Sequence, residues 1–250
     1  MTIIPGASPL SHRGSDPRGV LVLHGFTGNP GSMRSVADAV VAAGFHVEMP
    51  LLPGHGTHLD DMVPTRWHDW SGAAAAAYRT LAERAERVVV VGLSMGGALT
   101  LRLGADHPEI AGLVCINPAT QPPPDEVLTM LGDMIAAGTE VIPGIGSDIA
   151  DPDAHEDAYE GTPLAALMSL MNDGLAPLSS VYPTMRMPLL LMNSPQDHVV
   201  EPAQAEFLAS TYGGPIERIT LERSYHVATQ DHDKDLIAAS VVAFIDRVTR

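Results

Sequence analysis

Four consecutive β-branched residues, Val88 to Val91, lead straight into Gly92-Leu93-Ser94-Met95-Gly96-Gly97. Such a run suits a strand buried on both faces of a parallel sheet. From Met95 onward the apolar residues recur at helical spacing. The strand must therefore turn into a helix within about three residues, and only small side chains leave room for that. This G-x-S-x-G pattern is a nucleophile elbow: the turn holds Ser94 in a strained conformation, with its hydroxyl exposed at the sheet's carboxyl edge. In a chain with 23 Gly the pattern alone is weak. Its place between a buried strand and an apolar helix gives it weight.

Around the elbow, strand and helix alternate. Residues 19–23, 45–49, 88–91 and 111–116 read as strands. Helices are predicted after the cap Asn29-Pro30, over 64–84 and from Met95 to Asp106, and residues 50–61 read as a loop. The pattern resumes with strands at 188–192 and 216–221 and a helix at 202–210. A closing helix has Leu236, Ile237, Ser240, Val241, Phe244, Ile245 and Val248 as its inner stripe. The alternation predicts an α/β fold, a mostly parallel central sheet with helices on both faces.

Residues 119–180 break the rhythm. They hold Pro122, Pro123 and Pro124, 11 acidic residues and no Lys or Arg. A solvated acidic face is the plain reading. Met130, Leu131, Met134, Ile135, Leu164, Leu167, Met168 and Met171 make the stretch too apolar for a disordered segment. It reads as an inserted cap of short helices over the sheet's carboxyl edge. Residues 1–118 and 181–250 then form the core and 119–180 the cap.

Net charge is −16, which makes nucleic acid and anionic lipid poor partners. The lone Cys115 permits no internal disulfide and lies in an apolar strand, where it reads as packing. No apolar run reaches membrane-spanning length and none at the N-terminus resembles a signal peptide, so the expected compartment is the cytoplasm.

Loops at the carboxyl ends of such strands gather around one crevice. Three carry Ser94, Asp197 and His226, in the order nucleophile, acid, base. His226 would take the Ser94 proton, and Asp197 would orient the imidazole and stabilise its charged form. His226 is chosen among 11 His because it alone sits just after the last strand, ahead of the last helix. Asp197 also suits an Asx turn, and Asp231 and Asp233 are the reserve acids. His198 reads as loop structure. His55 and His58 lack a third ligand in register for zinc. Oxyanion donors are expected from the backbone of Met95 and of Phe26, the latter within His24-Gly25-Phe26-Thr27-Gly28, where His24 braces the loop.

Taken together, H-G-F-T-G, G-H-G-T-H, G-L-S-M-G-G, D-H-V-V and S-Y-H-V-A-T resemble the bacterial monoacylglycerol lipase and thermostable carboxylesterase group of the α/β-hydrolases, from about Gly19 onward. The resemblance implies an α/β-hydrolase fold and a cytosolic serine esterase. It implies cleavage of a small lipid ester, a monoacylglycerol, without metal or cofactor and without stable membrane insertion. It also implies that Glu156 helps bind the glycerol head and that Ile145 narrows the channel. Three other readings stay open: a general carboxylesterase for shorter acyl esters, a non-ester hydrolase acting on C–C or peroxy bonds, and a ligand-binding hydrolase fold without catalysis. A complete triad counts against the last.

Overall fold

The computed structural model describes residues 2–250. A seven-stranded sheet is built from β1 (Leu10–His12), β2 (Arg18–Leu23), β3 (His46–Met49), β4 (Arg87–Leu93) and β5 (Gly112–Ile116). After a break in the chain's rhythm it is completed by β8 (Leu189–Asn193) and β9 (Ile216–Thr220). The two intervening strands, β6 (Val141–Pro143) and β7 (Gly161–Pro163), pair with each other outside it. The main sheet has the order β1-β3-β2-β4-β5-β8-β9. Only β1 runs antiparallel, on an edge.

Helices cover both faces. In chain order they are α1 (Arg34–Ala42), α2 (Leu59–Met62), α3 (Trp67–Ala82), α4 (Met95–Asp106), α5 (Asp125–Ala136), α6 (Leu164–Ser169), α7 (Ala176–Ser179), α8 (Ala203–Thr211) and α9 (Lys234–Val248). The period of two along each strand divides the core. Val20, Val22, Val89 and Val91 pack under α1 and α9, whereas Leu21, Leu23, Val88 and Val90 pack against α3 and α4. The β4 Val run is buried on both sides because it lies between β2 and β5 in the middle of the sheet. Cys115 is fully buried there, and burial pushes its thiol pKa well up.

Three local expectations need correction. The 50–61 loop runs into a helical turn, α2, capped by the His58 ring rather than by a hydroxyl or carboxylate. The 119–180 stretch contains the β6–β7 ribbon as well as helices. Leu236 faces out from α9, 45% exposed, so the inner stripe begins at Ile237. A π-helical turn, Leu170–Leu175, follows α6 without a break. No helix of the described residues is long and apolar enough to cross a membrane.

Candidate active site

Ser94 stands between β4 and α4 with φ 57° and ψ −118°. A left-handed φ on a non-glycine residue costs on the order of 1–3 kcal/mol and persists only where its surroundings enforce it. Here the Ser94 N–H donates to the Ile116 carbonyl at 3.0 Å, and its own carbonyl accepts from Gly97, Ala98 and Ala119. A Cβ on Gly92 would collide with the Gly96 carbonyl, and one on Gly96 with the Leu23 carbonyl. Those two glycines are what let the turn close.

The next two candidates meet directly. His226 Nδ1 lies 2.8 Å from Asp197 Oδ2, and both residues are buried. Asp197 Oδ1 accepts the Val199 and Val200 N–H groups at 2.9 and 2.8 Å. The Asx turn and the bond to histidine are thus both present, one on each carboxylate oxygen. With Nδ1 engaged, the ring's other nitrogen is left for the cavity that His226 shares with Ser94. The Ser94 hydroxyl makes no hydrogen bond among the described residues, the open geometry common before substrate tightens such contacts.

The reserve acids serve other ends. Asp231 accepts four backbone N–H groups, from Ala150, Asp151, Tyr225 and His232. Burial alone would raise its pKa, and those four donors outweigh it, so the carboxyl sits below its usual value. Asp233 binds the Arg223 N–H and the Ser224 hydroxyl.

Sequence reasoning missed Asn117, at the carboxyl end of β5. Its side-chain nitrogen donates to the His226 carbonyl at 2.8 Å and the Tyr225 carbonyl at 3.2 Å. Its side-chain oxygen accepts the Ser194 N–H at 2.7 Å. One amide thus ties the His226 loop to the end of β8. The only sequence signal was an Asn-Pro pair that reads as an ordinary strand end; the structure gives Asn117 a φ of 41°.

The 24–28 loop is held from below by rings. His24 Nδ1 donates to the Gly25 carbonyl and its Nε2 accepts the Leu52 N–H, which fixes a neutral tautomer. His55 packs edge-on at 5.1 Å from His24 and 5.9 Å from Trp70, and Phe26 caps Trp70 at 5.5 Å. Burial pushes His24 down to about 3 and His55 to about 4. His55 therefore belongs to this stack, whereas the His58 side chain is exposed; the described residues contain no group of three or more His, Cys, Asp or Glu placed to hold a metal. The Phe26 and Met95 N–H groups donate to no protein acceptor among the described residues, as oxyanion donors must not.

The Glu156 segment is laid on this loop. Tyr159 N–H donates to the Thr27 carbonyl, and Asn29 donates to the Asp157 carbonyl. Glu156 Oε1 comes within 2.8 Å of where a Cβ on Gly28 would stand. Burial pushes the Glu156 carboxyl up to about 7, opposed by His226 and reinforced by Asp157. Ser94, His226 and Glu156 line one cavity of about 730 Å³, together with the apolar Leu167, Met171 and Leu175. That volume is in the range of small-molecule sites. Ile145 lines it too and is 68% exposed, so it stands at the mouth.

A mostly parallel sheet covered on both faces, with a strained serine after its central strand and an Asp–His pair on later loops, is the layout of an α/β hydrolase. The alpha/beta hydrolase family model matches residues 20–239, and the chain belongs to that family. It is 39% identical to a thermostable monoacylglycerol lipase of Bacillus sp. (strain H-257), over 97% of this chain and 95% of that one. It is 26% identical to a carboxylesterase of Bacillus subtilis (strain 168), over 96% of each. A solved structure described with the metagenome-derived lipolytic enzymes LipS and LipT superposes with a TM-score of 0.92 at 41% identity, covering 98% of this chain and all of that one. The monoacylglycerol lipase of Paleococcus ferrophilus, 17% identical with a TM-score of 0.74 over 95% of this chain and 98% of that one, shares the fold.

Proposed function

We propose that this protein is a serine esterase that hydrolyses monoacylglycerols to fatty acid and glycerol. The observation that carries the reading is the 2.8 Å Asp197–His226 contact beside the cavity that holds the strained Ser94. Ser94 Oγ attacks the ester carbonyl carbon as its proton passes to the free nitrogen of His226. Asp197 holds the opposite ring nitrogen and stabilises the imidazolium. The new oxyanion accepts from the Phe26 and Met95 N–H groups. Collapse expels the glycerol oxygen, which takes the proton from His226 and leaves an acyl group on Ser94. Water, deprotonated by the same histidine, then releases the fatty acid.

The substrate assignment rests on the cavity and on the 39% identical relative named a monoacylglycerol lipase. An apolar wall of Leu167, Met171 and Leu175 suits an acyl chain. Glu156 offers the glycerol hydroxyls a polar partner, and Ile145 narrows the entrance. Residues 119–180 act as the cap that supplies most of this wall. A general carboxylesterase of shorter-chain preference is the second reading, favoured by the Bacillus subtilis relative.

The test combines a fluorophosphonate probe with a panel of monoacylglycerols and nitrophenyl esters of rising chain length. Labelling should vanish in Ser94→Ala, with kcat reduced by at least about 10⁴-fold. A kcat/KM that peaks on monoacylglycerols supports the first reading, and one that falls steadily with chain length supports the second. Retained activity in Ser94→Ala would refute both.

A further inference from the structure

The acid and base loops are distant in sequence, and a third segment bridges them. Asp148 Oδ2 accepts the His198 N–H and the His226 N–H, each at 3.1 Å. Its Oδ1 pairs with His198 Nδ1 at 2.8 Å, and its backbone carbonyl accepts the Val227 N–H at 3.1 Å. The His198 ring stands edge-on to Tyr225 at 4.6 Å, closing the contact from the outside. One carboxylate thus binds the residue after Asp197 and the main chain of His226 itself. The His226 carbonyl is already fixed from the opposite direction by Asn117.

We propose that Asp148 is a positioning residue: the 119–180 segment covers the cavity and also completes the triad by clamping the acid and base loops in register. This rests on the assignment of Ser94, Asp197 and His226 above. The imidazole's reach is set by the main chain that carries it. Asn117 alone fixes one end of that peptide pair and leaves rotation about it. Asp148 removes that freedom, and its contact with His198 N–H sets the same reference for Asp197 one residue earlier. The Asp148 side chain is only 12% exposed, so water competes weakly for its donors.

The role is geometric, which separates it from substrate binding and from simple charge. In Asp148→Ala, kcat should fall by about 10–100-fold, the scale of a displacement near 1 Å in a catalytic group, with KM changed less than about 3-fold. The rate of fluorophosphonate labelling at Ser94 should fall in parallel. Asp148→Asn keeps an acceptor for the two N–H groups and an amide that a neutral His198 can meet through its other tautomer, so it should restore kcat to within about 3-fold of the parent. Asp153→Ala removes an exposed acid of the same segment whose side chain makes no hydrogen bond or ion pair among the described residues, and should leave kcat unchanged. Circular dichroism and melting curves establish folding for each variant, with Asp148→Ser replacing Ala where Ala does not fold.

An Asp148→Ala enzyme with parental kcat overturns the proposal. So does one with raised KM alone, which would make Asp148 a substrate contact. An Asn variant as impaired as Ala overturns it in favour of a charge effect, and failure of both Ala and Ser to fold makes the residue a general fold determinant. Failure of the triad assignment is distinguishable, because then the parent protein itself does not label at Ser94.

Discussion

Replacing Glu156 by Gln should make the protein more stable at alkaline pH and leave it unchanged at acid pH. The side chain makes no hydrogen bond to protein among the described residues, so the amide forfeits none. Its carboxyl is pushed from 4.5 to about 7, chiefly by burial. Below pH 4.5 both folded and unfolded chains carry the proton, and the substitution is neutral. Between pH 4.5 and 7 the unfolded chain releases it and the folded chain retains it, so stability falls as pH rises. Above 7 the folded protein must hold a poorly solvated charge. A shift of that size sets a ceiling of about 3 kcal/mol, and contact with cavity water screens it to about 1–2 kcal/mol. For a chain of this length each kcal/mol moves Tm by about 2–4 °C. Melting curves from pH 4.5 to 8.5 should therefore show a gain for the variant that grows from zero to about 2–8 °C. A difference independent of pH, or a variant less stable than the parent at pH 8, would refute the reasoning.

Two further substitutions probe the surroundings. Gly28→Ala places a methyl group 2.8 Å from Glu156 Oε1; KM for monoacylglycerols should rise about 3–10-fold, the value of one hydrogen bond, while short nitrophenyl esters keep their kcat and KM. Asn117→Ala leaves the His226 carbonyl and the Ser194 N–H without their partner, while the Tyr225 carbonyl keeps the Ser194 hydroxyl. It should lower kcat about 10–100-fold at nearly constant KM and lower stability by about 1–3 kcal/mol per group left unpaired, measured by steady-state kinetics and urea unfolding.

The sheet and the elbow were legible because their signals are local. A four-Val run, a turn that admits only small residues and a helix at period 3.6 lie within a dozen positions. The burial of β4 on both faces follows from its four consecutive Val, which a strand with one solvated face would not carry. The β6–β7 ribbon left no such trace. Its strands are three residues each, and both end in Pro, which donates nothing to a ladder. Four-residue α2 was equally silent, because a histidine nitrogen does the capping usually given to Ser, Thr, Asp or Asn.

Candidate roles could be assigned from sequence only where a motif suggests them. Ser94, Asp197 and His226 could be ranked by their places after strands. Asp148 could not be ranked, being one of 11 acids in a stretch without a single cation. Composition makes that run look like a solvated face. The structure divides it into acids facing water and acids facing backbone N–H groups: Asp148 faces the N–H groups of His198 and His226, which lie 50 and 78 positions away. A carboxylate that finds its donors on distant loops leaves no periodic pattern, because its position is set by where the chain returns rather than by its neighbours. The same holds for Asp231, whose four donors come from both sides of the join between residues 150–151 and the His226 loop. Together the two carboxylates occupy main-chain donors that this crossing would otherwise leave without a protein partner, which holds the join in register. Under the role proposed for His226, the acidic segment is as much a framework for that residue as a covering for the cavity.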